Sequence, residues 1–418
     1  MRRLHICPSL VLLIALLAGF APVLADDGGV LRLELGDADR RGRDVPLVLD
    51  ALTDAETGGL LTPGELGPRL AEVEILLLGE SHTNMDYHRV QLRVLQELVA
   101  AGRQVIVGLE MYPYTEQEHL DSWVAGYTTE EGFLELSDWY ENWGYHWHYY
   151  RDLFFFAREN GLPMVALNTP REVVKAVREK GFEGLSEEEA EHVPPSVDLE
   201  SEEHRRLFKA FFEGDDPIHA QMSEEQWEGM FRAQCTWDAT MAHNAVKAFE
   251  EHGSSDKEGG EGAILVVLVG SGHVVYGLGI ERQARQWFEG EIATLVPIPV
   301  VGEGEEKVER VSAAYADVLW GLPEAVAPLY PSLGLSTTEA ETGRKVIYVA
   351  EESPAEAASF ELGDVLIELD GIPIDSKRRL NRHMAAKRWG DAVEAKIERG
   401  GETLEITVYL RRSPPSDE

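Results

Sequence analysis

Residues 76–84 read LLLGESHTN. With Ile75 ahead of them, the leucines form a short apolar run of the length of a strand buried on both faces. The run stops at Gly79, and Glu80, Ser81 and His82 follow. A core strand that ends on a carboxylate and an imidazole delivers chemistry to its carboxyl end. The pattern recurs: QVIVGLEM (104–111) brings Glu110, LPMVALN (162–168) brings Asn168, and AILVVLVGSGHV (263–274) brings His273. Helical patterns separate these runs. After Asn84 and Asp86, Val94, Leu95, Leu98 and Val99 recur at helical spacing, and Gly102 supplies the stop. A mostly helical, aromatic stretch covers 115–160, and acidic helical segments fill 170–252 ahead of the loop GSSDKEGGEG. Alternating runs and helices predict an α/β fold: a mostly parallel sheet flanked by helices, with a helical subdomain. In such sheets ligands bind beyond the carboxyl ends of the strands, where all these polar residues fall.

The chain has 418 residues, enough for two or three domains, and a formal net charge of −37. That charge disfavours nucleic acid and anionic membrane surfaces as partners, since both are polyanions. The start reads as an export signal over residues 1–25: Arg2 and Arg3, the apolar run SLVLLIALLAGF (9–20), and a small-residue cleavage site ending at Ala25. The expected location is periplasmic or extracellular, with an uncleaved membrane anchor as the alternative and no span in the mature chain. Cys7 precedes the apolar run and cannot serve as a lipoprotein cysteine. Cys235, then the one remaining cysteine, reads as a small buried hydrophobe. Residues 26–69 read as a polar extension with one short helix, 70–300 as the α/β domain, and 301–329 as a linker whose VSAAYADVLWGLPEAV forms a helix. Residues 330–412 read as a separate β-rich unit.

Glu80, His82, Glu110 and His273 form the central constellation. Two carboxylates and two imidazoles suit a divalent metal bound through nitrogen and oxygen. They equally suit acid–base catalysis without one, a carboxylate orienting each histidine. The bland alternative is that Glu80 and His82 cap the next helix and His273 is a turn residue. On FRAQCTWDATMAHNA (231–245), Gln234, Asp238 and Met241 share a helix face, and Asp238 is placed to orient a site histidine. The charge run SEEEAEHVPPSVDLESEEH (186–204) reads as a solvated loop or lid, with His192 and His204 on the surface.

LLGESHTNMDYHRVQ, VGLEMYPYTEQEHLDSW, VALNTPREVV, FRAQCTWDATMA and VVLVGSGHVVYGLGI, in that order, resemble the ChaN-like domain of the haem-binding uptake and Tiki superfamily, over roughly residues 70–300. The resemblance implies haem as cofactor and a role in iron acquisition. Relatives in the wider superfamily include Tiki peptidases and erythromycin esterases. Through them the resemblance implies a hydrolase alternative, a metallopeptidase-like enzyme with a peptide or small-molecule substrate. The matching residues are Glu80, His82, Glu110 and His273; Asn168 and Asp238 stand behind them on their own placement at a strand end and on a helix face. ChaN proteins are typically lipoproteins, and Cys7 is not placed as a lipid acceptor here, so the resemblance does not carry over to anchoring. Tyr112 and Tyr114, just after Glu110, are equal candidates for an iron ligand. DWYENWGYHWHYYRDLFFFA (138–157) offers tyrosine and histidine too, but Trp143, Trp147 and Tyr150 fall at near-helical spacing and read as core.

YPSLGLSTTEAETGRKVIYVAEESPAEAASFELGDVLIELDGIPI resembles the start of a PDZ domain, completed by the helix and two strands that follow, over about 330–412. The resemblance implies a partner with an extended protein C-terminal tail. Its carboxylate would be captured around Ser332, Leu333, Gly334 and Leu335, and its backbone would extend the edge strand LSTTEAE.

Overall fold

The computed structural model describes residues 30–212, 222–253, 262–300, 308–323 and 328–412. The export signal and Cys7 lie outside them. The described residues divide into two compact units: 30–137 with 150–323, and Asp138–Tyr149 with 328–412.

The strands of the larger unit are β1 (Asp44–Pro46), β2 (Leu52–Asp54), β3 (Leu60–Leu61), β4 (Ile75–Glu80), β5 (Gln104–Pro113), β6 (Met164–Asn168), β7 (Ala263–Gly270), β8 (Ile292–Pro299), β9 (Arg310–Ser312) and β10 (Val318–Leu322). Eight form one sheet in the order β3-β2-β10-β8-β4-β7-β5-β6. From β10 to β6 every pairing is parallel, and β2 and β3 close one edge antiparallel. β4 is buried at all its residues, as a strand covered on both faces must be.

The helices that matter below are, in chain order, α1 (Met85–Ala100), α2 (Glu130–Leu136), α3 (Arg151–Glu159), α4 (Glu202–Ala210) and α5 (Glu224–Gly253). Asn84 caps α1 by accepting from Asp86 N–H, and Gly102 follows it with φ +84°. One buried cluster joins β4 and β7 to α5 through Leu77, Val267, Met241 and Ala245.

Two expectations are corrected here. Residues 311–322 make no helix: β9 and β10 lie there, with Val318–Leu322 running parallel to β8. Val318, Leu319, Trp320 and Leu322 are all buried, so the run is a sheet strand whose short apolar stretch imitates one helix turn. Nor is 30–69 a loose extension. Leu31, Leu35, Val45, Leu47 and Leu52 are buried, and β2 pairs with β10. Single leucines dispersed among charges gave no periodic signal to read.

Arg103 locks the start of β5. Its guanidinium is 5% exposed and donates to the carbonyls of Leu70, Ala71, Val73, Gly262 and Ala263. Arg103→Met keeps the apolar stem and orphans those oxygens. We expect it to cost about 3 kcal/mol, read as a lowered urea midpoint, because unmet buried polar groups cost about 1–3 kcal/mol each and some here regain water.

In the smaller unit, β11 (Leu335–Ala340), β12 (Gly343–Val349), β13 (Val365–Leu369), β14 (Ile372–Pro373), β15 (Ala392–Arg399) and β16 (Glu402–Tyr409) form a sheet of their own. Its order is β11-β12-β13-β15-β16, with β14 paired to β13, so β11 is an edge strand as expected. The turn Asp370-Gly371 has positive φ at both residues, as a two-residue hairpin requires. Helix α6 (Lys377–Ala385) packs Leu380 and Met384 into the core of this sheet. Leu333 is also spent on that core, at 4% exposure, which leaves Leu335 as the partly covered apolar side chain of the expected capture loop. Gly334 adopts φ +77°, and a Cβ there would lie 2.2 Å from that of Ser353, so only glycine fits.

Candidate functional site

Strand register brings the site together. Glu80 pairs with Gly270 across β4 and β7, and Leu109 pairs with Leu268 across β5 and β7. The β5–β6 register shifts between Leu109 and Pro113, which puts Glu110 in an irregularity. Such breaks re-aim a side chain, and Glu110 Oε2 turns to accept from Gly270 N–H at 2.7 Å. A Cβ on Gly270 would meet His82 Cε1 at 3.2 Å and Glu110 Oε2 at 3.7 Å, so both groups close on this one glycine. Asn168 Nδ2–H donates to the Glu110 carbonyl at 3.0 Å and holds the bulge rather than the reacting face.

Two carboxylate–imidazole pairs stand at this end of the sheet. His82 Nδ1–H donates to Glu80 Oε1 at 2.6 Å. Tyr150 O–H donates to the same oxygen at 2.7 Å, and Gln91 Nε2–H donates to Oε2 at 2.5 Å. His88 completes the shell. Its Nδ1 lies 3.0 Å from Gln91 Oε1 and its Nε2 lies 3.1 Å from the His82 carbonyl oxygen. In the second pair, His273 Nδ1–H donates to Asp238 Oδ1 at 2.6 Å, with the Gln234 amide 2.9 Å from the same nitrogen. His273 Nε2 lies 3.6 Å from Glu110 Oε1. The two pairs thus flank Glu110, and the helix-face reading of Gln234 and Asp238 places both on His273.

Burial sets the electrostatics. Glu80 is fully buried, which opposes its charge, but His88, His82 and Tyr150 overturn that and hold its carboxyl down to about 2. Burial also opposes charge on His82 and His273. The carboxylates Glu80 and Glu110 for the first, Asp238 and Glu110 for the second, raise both above the ordinary histidine value. Either imidazole is therefore a ready proton holder, its tautomer fixed by the carboxylate behind it.

His204 is not a surface residue. It is 1% exposed, with Nε2 at 3.6 Å from Asp238 Oδ2 and Nδ1 accepting from Arg282 Nη2–H at 3.1 Å. Burial, with Arg282 and His273 nearby, pushes it down to about 4 although Asp238 pulls the other way. Asp238 thus sits between two histidines, and its Oδ2 makes no hydrogen bond. Cys235 is buried as expected, its thiol pushed up out of the reactive range.

The two tyrosines after Glu110 separate. Tyr112 is fully buried, with its hydroxyl 2.7 Å from Ser137 Oγ and its ring against Phe133, so it is core and not a ligand. Tyr114 is partly exposed, and its O–H donates to His192 Nδ1 at 2.5 Å. His192 is half-buried, and its carbonyl accepts from Thr169 just past β6. Among the described residues no three His, Cys, Asp or Glu side chains are grouped to hold a metal ion. Glu80 and Glu110 each spend an oxygen on a close N–H donor.

A parallel α/β sheet with a polar, strand-end site is the class of protein these features define. Residues 67–283, just over half of the chain, match the family described as haem-binding uptake, Tiki superfamily, ChaN, and the chain belongs to that family. Residues 331–410 match the PDZ domain family. Protein RETICULATA-RELATED 5, chloroplastic, of Arabidopsis thaliana is 26% identical over 219 residues, covering 50% of this chain and 28% of that protein. The zinc metalloprotease RasP of Shouchella clausii is 34% identical over 79 residues, covering 19% of each. The chain therefore spans less than a third of the length of either curated relative. A solved structure described as cofacial haem binding to ChaN of Campylobacter jejuni is 17% identical, covers 66% of this chain and 98% of that one, and has a TM-score of 0.47. No helix among the described residues is long and apolar enough to cross a membrane.

Proposed function

We propose that the larger unit binds haem as iron cargo on the loops past β5 and β6, with Tyr114 as the iron ligand and His192 as the acceptor of its phenol proton. The observation that carries this is the 2.5 Å hydrogen bond from Tyr114 to His192 Nδ1 on a partly exposed tyrosine. Burial and Glu191 raise Tyr114 above the usual phenol range, so an adjacent base is what would let it serve as a phenolate. His82 and His273, at 2% and 8% exposure, offer a porphyrin no approach. The leader-like N-terminus would place this chemistry outside the cytoplasm. The smaller unit would take an extended C-terminal peptide along β11, with Leu335 as its apolar contact.

The paired imidazoles favour a second reading: hydrolysis of a peptide or other small molecule without haem. Glu80 and Asp238 would orient His82 and His273, and Glu110 between them would hold a water or a transferred proton.

Haem titration followed by visible absorption separates the readings. Tyr114→Phe should remove the tyrosinate-type spectrum and weaken binding at least tenfold, and His192→Ala should weaken it less. His273→Ala should leave the haem spectrum intact while abolishing any turnover found in an ester and amide screen. A Tyr114→Phe variant with an unaltered haem spectrum would defeat the first reading.

A further inference from the structure

The smaller unit is assembled from stretches far apart in sequence, because Asp138–Tyr149 belongs to it although those residues lie inside the family span 67–283. Helix α6 holds that segment at successive turns. Arg378 Nε is 2.9 Å from the Asp138 carboxylate, and Arg378 N–H, in the first turn, donates to Glu141 Oε2 at 2.8 Å. Asn381 Nδ2–H donates to the Tyr140 carbonyl at 2.9 Å, and the Ala385 carbonyl accepts from His146 Nε2–H at 3.0 Å. Residues 378, 381 and 385 share one face of the helix, distinct from the face that buries Leu380 and Met384.

The fit is close from both sides. The His146 ring stacks on Tyr330 with centroids 3.4 Å apart and planes within 4°. Gly144 has φ +89°, and a Cβ there would lie 2.7 Å from Asn381 Nδ2. Inside the segment, Trp139 Nε1–H donates to the Tyr145 carbonyl at 2.8 Å and the Trp139 ring packs against Trp147 at 4.9 Å. This is a shaped ligand, not a slack crossing.

The residues at its two ends are tied to the site strands. Ser137, immediately before it, bonds to Tyr112 on β5, two residues past Glu110. Tyr150, immediately after it, donates to Glu80 Oε1, the oxygen that also takes the His82 proton. We infer that this face of α6 and Tyr330 form a binding surface for the chain's own 138–149 segment. Holding the segment there keeps Ser137 and Tyr150 in place, and so governs the Glu80–His82 pair. A peptide that alters the smaller unit would then reach the buried site through the chain at Ser137 and Tyr150.

The test is hydrogen–deuterium exchange by mass spectrometry on the full chain. Arg378→Glu sets a like charge against Asp138 and Glu141. Gly144→Val spoils the fit from the segment's side while leaving α6 untouched. Both should raise exchange in 138–149 at least tenfold, and in 79–83 and 111–114 with it, while 263–270 and 402–409 stay as in the wild type. If 138–149 loosens and 79–83 does not follow, or if 138–149 does not loosen, the inference is overturned. Should either variant also loosen 402–409, Asn381→Ala, which removes only the amide to Tyr140, decides by the same criterion.

Discussion

Glu80→Ala should destabilise the protein by about 3–5 kcal/mol, visible as a large fall in the denaturant midpoint. This carboxylate is fully buried and accepts from His82, Tyr150 and Gln91, with a His88 nitrogen 3.6 Å away. Removing it strands positive or polar groups in a site that water does not reach, so the loss exceeds that of an ordinary hydrogen bond. Glu80→Gln keeps the volume and one acceptor and should cost less, which separates lost charge from lost packing. An alanine variant within about 1 kcal/mol of the wild type would mean that the cluster is hydrated and the pairing idle.

The second large effect is a loss of stability on mild acidification. His204 is held down to about 4 in the folded protein against an ordinary value of 6.5. A histidine depressed in this way stays neutral when folded and gains a proton when unfolded. Its contribution is complete above pH 6.5 and is lost as pH falls through 4. The span corresponds to about 3 kcal/mol at about 1.4 kcal/mol per unit. His82 and His273 act in the opposite sense: their raised values add stability that is present below 6.5 and fades as pH climbs through the folded value. The isolating measurement is therefore the difference between wild type and His204→Gln in unfolding free energy at pH 7 and pH 4. The difference should change by most of that amount across the window. An unchanged difference would show that His204 takes up its proton without cost.

The parts of this molecule legible in the sequence are those where local pattern and global fold agree. The apolar runs at 75–79, 105–109, 164–167 and 263–269 are strands because nothing polar interrupts them, and Glu80, Glu110 and His273 follow at their carboxyl ends. Asp238 was legible because one helix face carried it. His204 was not, since it sits in a charge run and its burial comes from α5 and Arg282, distant in sequence. His88 and Gln91 carry a signal of their own in the sequence. With Leu95 and Leu98 they follow helical spacing on α1, so two polar residues on an otherwise apolar stripe marked a buried polar partner. The split of Asp138–Tyr149 away from its neighbours had no signal, because its tryptophans read as core in whichever unit they join.

The order of the strands has a consequence for synthesis. β4 emerges early, yet one of its two neighbours, β8, ends at Pro299, and β2 pairs with β10, which ends at Leu322. On the ribosome the carboxyl-terminal partners of this sheet are therefore the last to arrive. Until they do, the apolar strand with which the site begins has an open edge, a template for pairing with other chains. The same holds for an excised 67–283 fragment, which carries the family's matched residues but lacks β2, β8 and β10. Such a fragment would keep the Glu80–His82 and Asp238–His273 pairs and leave β4 with no strand on one side.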